Sequence, residues 1–117
     1  MGDWRDAELQ MIEGYEIEFS NVKSQTLAIP LIHINFDKNG HQRSAFTALE
    51  IADFVWSLVH LRNIILTGNV NENYFYVIIG PILGNSYKLV LKFNKINEIL
   101  YVVTFFRLRK KTKTKKS

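Results

Sequence analysis

The chain has 117 residues, enough for one domain with one core. A hydrophobic share of 47% and an aromatic share of 13% suit a packed interior rather than a disordered chain. With no cysteine, disulfide staples, thiolate metal sites and a cysteine nucleophile are excluded, and a net charge of +4 hides a segregated layout.

Residues 1–20 carry Asp3, Asp6, Glu8, Glu13, Glu16 and Glu18 against Arg5 alone, whereas residues 107–117 carry Arg107, Arg109, Lys110, Lys111, Lys113, Lys115 and Lys116 with no acid. Such a basic end attracts phosphate-bearing partners in a salt-dependent way, although a solvated lysine tail is the plainer alternative. The opening Met1-Gly2-Asp3-Trp4-Arg5-Asp6 is acidic where a secretory leader is basic and then apolar. No apolar run approaches the ~18 residues of a membrane span, so a cytoplasmic location without membrane contact is expected.

Residues 3–13 read as a weak helix, with Asp3 as cap, Trp4, Ala7 and Met11 on one face, and Gly14 as stop. Tyr15 to Phe19 alternates apolar and acidic residues, as a half-buried strand does. Leu27 to Phe36 reads as a longer strand, placed at an edge or broken at Pro30, which has no N–H to donate. Asn39-Gly40 signals a tight turn. Thr47-Ala48-Leu49-Glu50 is a capping box and opens a helix that runs to about Arg62. In that helix Glu50, Asp53, Ser57 and His60 form a narrow polar stripe, and apolar residues, Trp56 among them, fill the rest.

Thr67 to Asn73 reads as a polar loop after the short apolar stretch Ile64 to Leu66. Strands are expected over Tyr74–Ile79, Tyr87–Asn94 and Leu100–Arg109, with turns at 81–86 and 95–98. Short connections favour an antiparallel meander. The expected fold class is α+β: a mostly antiparallel four- to five-stranded sheet with helices packed on one face. One domain over residues 1–109 is followed by a basic, flexible tail over 110–117.

Two groups of residues suit chemistry on phosphates. His33, His41 and Arg43 flank the Asn39-Gly40 turn just before the helix start. Two imidazoles serve as general base and acid near neutral pH, and a guanidinium grips phosphate bidentately. Ordinary loop and core roles for the same residues are an equal alternative. On the last strand, alternation sets Tyr101, Val103, Phe105, Arg107 and Arg109 on one face, and cations among aromatic rings suit single-stranded RNA. Lys88 and Lys92 share a face of the preceding strand and extend the basic surface. No glycine-rich phosphate loop, H-E-x-x-H or G-x-S-x-G is present, and the spacing of His33, His41 and His60 suggests no metal site, so no metal or cofactor is expected.

From His33, His41-Gln42-Arg43 and the helix opening at Thr47, through the strands at 74–80 and 87–92, to the ending Leu100–Lys111, the chain resembles the RelE/ParE-like superfamily of small bacterial toxins, within the barnase-like ribonuclease fold group. The resemblance spans roughly residues 33–111 and leaves out residues 1–30. It implies a bacterial or phage ribonuclease toxin, acting on RNA free or on the ribosome and neutralised by a cognate antitoxin.

Three functions follow as expectations. The first is a metal-independent endoribonuclease, with His33, His41, Arg43 and Arg107 as catalytic residues and Lys88, Lys92, Arg109, Lys110 and Lys111 binding flanking RNA. The second is a non-catalytic nucleic-acid- or protein-binding module. The third is a partner protein assembled through its oppositely charged ends.

Overall fold

A computed structural model describes residues 9–109. Two long strands open the fold, β1 (Leu9–Phe19) and β2 (Val22–Pro30). A single helical turn, α1 (Leu31–Asn35), follows, and then the main helix α2 (Ala48–His60). Four strands complete it: β3 (Ile64–Val70), β4 (Asn73–Ile82), β5 (Asn85–Asn94) and β6 (Ile99–Arg107). They form one six-stranded sheet in the order β1-β2-β6-β5-β4-β3.

This corrects the expected fold class. The sheet has six strands rather than four or five, and it is mixed, because β2 runs parallel to β6 (Leu27 opposite Leu100) while every other pair is antiparallel. Of the helix expected over 3–13, residues 3–8 lie outside the described residues and the remainder belongs to β1. The strand expected over Leu27–Phe36 stops at Pro30, whose missing N–H ends the ladder, and His33 sits on α1 instead. The polar stretch Thr67–Asn73 is mostly β3, paired to β4 from Ile64 opposite Ile78 to Val70 opposite Asn73.

Helix α2 begins where its sequence says. Thr47 Oγ1 accepts from Glu50 N at 3.1 Å, and Glu50 Oε1 accepts from Thr47 N at 2.8 Å, so two otherwise free donors are satisfied. Its buried residues, Ile51, Ala52, Val55, Leu58 and Val59, fall at helical spacing and form one stripe against the sheet. Trp56 departs from the expected apolar surround, being 44% exposed with its ring against His60.

Each strand turns alternate side chains toward α2. Tyr76, Leu91 and Val102 form one cross-strand row on this inner face, and Ile78, Leu89 and Phe105 form the next. The sheet curls strongly around the helix. Phe19 on β1 meets Tyr76 on β4 edge to face at 5.0 Å, although three strands separate them in the order. A flat sheet would hold them about 19 Å apart at ~4.8 Å per strand. At one end of this core the rings of Phe46, Phe54, Tyr87 and Phe105 pack together at 5.2–5.6 Å.

Candidate nucleic-acid interface

The segment that follows β2 carries His33 on α1 and His41 and Arg43 in the polar loop after it. Asn35 organises it from a nearly buried position, with 6% of its surface exposed. Its Nδ2 donates to Phe46 O at 2.8 Å, and its Oδ1 accepts from Phe46 N and Ser44 Oγ, both at 3.0 Å. At the tip, Asp37 Oδ1 accepts from the backbone N–H of Asn39 and of His41, both at 2.9 Å. The donation from His41 N holds the Asp37 carboxyl below its ordinary range; desolvation opposes it, and the donation from Asn39 N and the neighbouring His41 side chain add to the lowering. Gly40, at φ +85°, makes the turn in a region open chiefly to glycine.

His41 is exposed, and its Nδ1 lies 3.4 Å from Asp37 Oδ2. Arg43 turns back along the loop, and its Nη2 donates to the backbone carbonyl of His33 at 2.7 Å. The guanidinium is therefore partly committed to holding the loop. The contact of Phe46 with Phe105 ties this loop to the end of β6.

Arg107 stands at that end, but on a face that alternation alone misplaces. The pairing of β5 with β6 slips between Val90 opposite Thr104 and Leu91 opposite Val102, so Val103 is an extra residue in β6. Such a bulge reverses which face the following side chains take. Arg107 pairs with Tyr87 on the inner, α2 side, together with Phe105, while Tyr101 lies on the outer face. Arg109 is exposed just past the strand. Lys110 and Lys111 lie outside the described residues.

Lys88 and Lys92 lie on the outer face, because their neighbours Tyr87, Leu89, Leu91 and Phe93 are the buried ones. The register surrounds each lysine with apolar or aromatic groups. Lys92 stands between Phe75 on β4 and Tyr101 on β6, and Lys88 stands between Ile79 and Phe106. Val90 lies between Val77 and Thr104 and separates the two rows. The Lys92 ammonium sits 4.6 Å from the centre of the Tyr101 ring, whose hydroxyl accepts from Asn97 Nδ2 at 3.0 Å. Phe106 is 41% exposed and Ile79 50%.

Helix α2 covers the other side of the sheet, and among the described residues no helix covers this one. Next to Val77 and Ile79 an open recess of about 380 Å³ is lined by Arg62, Asn63, Ile64 and Ile65 as well, which adds a cation to the margin of the face. The strand alternation announced the two lysines. Phe75, Ile79, Tyr101 and Phe106 as their neighbours emerge only from the register, which the sequence does not display.

Among the described residues no three His, Asp or Glu side chains come together as a metal site, and no helix is long and apolar enough to cross a membrane. No protein-family model matches the chain, and searches of curated proteins and of solved structures likewise give no match.

Proposed function

We propose that the protein binds single-stranded nucleic acid, RNA in the first instance, across the outer face of its sheet. The observation that carries this reading is the pair of cross-strand rows, Phe75–Lys92–Tyr101 and Ile79–Lys88–Phe106, on an uncovered face. Unpaired bases stack on aromatic rings while phosphates meet lysines, whereas the stacked bases of a duplex leave no ring-sized surface to share. Lys92 resting on Tyr101 is a ready cation, since a phosphate replaces the ring as its partner while a base takes the vacated surface. The basic segment from Arg107 onward adds sequence-independent attraction.

A second reading keeps the ribonuclease toxin suggested by the family resemblance. It is favoured by one observation, the exposed His41 beside Asp37 in the loop that also carries Arg43. A carboxylate beside an imidazole orients it for proton transfer. Against it, Arg43 is engaged with the His33 carbonyl, and Arg107 faces the inner side of the sheet, away from Lys88 and Lys92.

One experiment separates the two. Labelled single-stranded RNA is titrated with the protein by fluorescence anisotropy, and the same samples are run on a denaturing gel. The binding reading expects salt-sensitive binding of intact RNA, lost in the Lys88→Ala, Lys92→Ala double variant. RNA fragments that disappear with His41→Ala would move the assignment to the enzyme. Binding unaffected by the double variant would remove the outer face from the account.

A further inference from the structure

The two edges of the sheet differ in chemistry. At one, β1 presents Glu13, Glu16 and Glu18, all exposed. At the other, β3 reads Ile-Ile-Leu-Thr-Gly-Asn-Val, with neutral Asn63 and Asn71 on either side, so it holds neither charge nor proline. Ile65, Leu66 and Val70 are 64%, 56% and 57% exposed. Among the described residues β3 has a single neighbouring strand, β4. Its other side offers a row of backbone donors and acceptors, which is a template for another strand. Proteins guard such edges with lysine, proline, bulges or short length; β3 has only the irregularity between Leu66 and Gly68.

We propose that β3 is a self-association edge, at which two copies of the chain pair β3 with β3 antiparallel and join their sheets into one. Charge selects this pairing over the alternatives. Pairing β1 with β1 would set glutamates against glutamates, which is unfavourable across a ladder. Pairing β1 of one copy with β3 of another would leave a free edge at each end and continue into an open filament. Pairing β3 with itself opposes no charges and closes on a two-fold axis.

The same contact covers apolar surface on both faces. Ile65 and Val70 lie on the outer side, in register with Val77 and Asn73, while Leu66 lies on the α2 side in register with Tyr76. An axis perpendicular to the joined sheet keeps both outer faces on one side of the dimer. The proposal stands whether or not those faces bind nucleic acid.

Sedimentation velocity of the full chain across a dilution series tests it. The wild type is expected at twice 13.7 kDa, dissociating on dilution. Leu66→Lys, which leaves the outer face untouched, is expected at 13.7 kDa with an unchanged circular dichroism spectrum. Glu16→Gln on the opposite edge is expected to remain dimeric. Because a lysine variant can misfold, amide hydrogen exchange on the wild type supplies an independent reading: β3 amides are expected to exchange faster on dilution, with the β4–β5 ladder unchanged. A monomeric wild type at every concentration, a Leu66→Lys dimer as tight as wild type, or concentration-independent β3 exchange each overturns the proposal.

Discussion

At Gly80, β4 passes close beneath the end of α2, and adding one methyl group there tests that packing. A Cβ at residue 80 would lie 2.6 Å from Leu61 Cδ1 and 3.2 Å from Leu58 Cδ2. Leu58 is fully buried and has nowhere to go, whereas Leu61 is 41% exposed and can turn toward solvent. Overpacking of this kind costs about 1–3 kcal/mol. Relief of the glycine's excess chain entropy within a strand returns about 0.5–1 kcal/mol. Gly80→Ala is therefore expected to destabilise by up to about 2.5 kcal/mol in urea unfolding, with the slope unchanged. Leu61→Ala should remove the nearer clash, so the double variant should be more stable than the two single losses added together. A Gly80→Ala protein more stable than wild type, or strict additivity in the double variant, would refute the reasoning.

Three further outcomes follow from local geometry. Thr47→Ala removes the hydroxyl half of the capping box and is expected to cost about 1 kcal/mol in the same unfolding assay. Asn35→Ala leaves Phe46 N–H and C=O without their side-chain partners, so a loss of roughly 1–3 kcal/mol and faster limited proteolysis within 36–45 are expected. The Asp37 carboxyl is held below its ordinary range, so its contribution to stability is complete above the unfolded-state value and is lost as pH falls through the lower folded-state value. A carboxyl-carbon NMR titration should accordingly show Asp37 protonating below an unstructured aspartate, and Asp37→Asn should remove that acid-side dependence.

What could be read from the chain follows the range of the interactions involved. The capping box at Thr47, the turn at Asn39-Gly40 and the alternation through Tyr87–Asn94 depend on residues a few positions apart, and each stands where the sequence placed it. The parallel partnership of β2 with β6 joins residues at opposite ends of the chain, and no local pattern announces it. Strand β3 was obscured because it lies at an edge. Its polar residues face solvent and need no apolar alternation, so Thr67–Asn73 resembles a loop.

The site residues divide in the same way. His41 and Arg43 lie in the loop, but Pro30 ends the strand expected to carry His33, which sits on α1, and the Arg43 guanidinium contacts the His33 backbone carbonyl. Alternation put Arg107 beside Tyr101. The bulge at Val103, which contains neither glycine nor proline to signal it, puts them on opposite faces. The same register gathers Tyr101 and Phe106 around Lys92 and Lys88, which shifts the weight of the functional reading from the loop to the outer face.

The most direct test of that reading is to find where RNA touches the protein. Single-stranded RNA containing 4-thiouridine is bound to the wild-type chain, cross-linked with long-wavelength light, and the modified peptides are identified by mass spectrometry. Cross-links are expected at Phe75 on β4 and at Tyr101 and Phe106 on β6, the two strands that flank β5 on the outer face. Cross-links confined to the loop around His41, or to the inner end near Arg107, would contradict it.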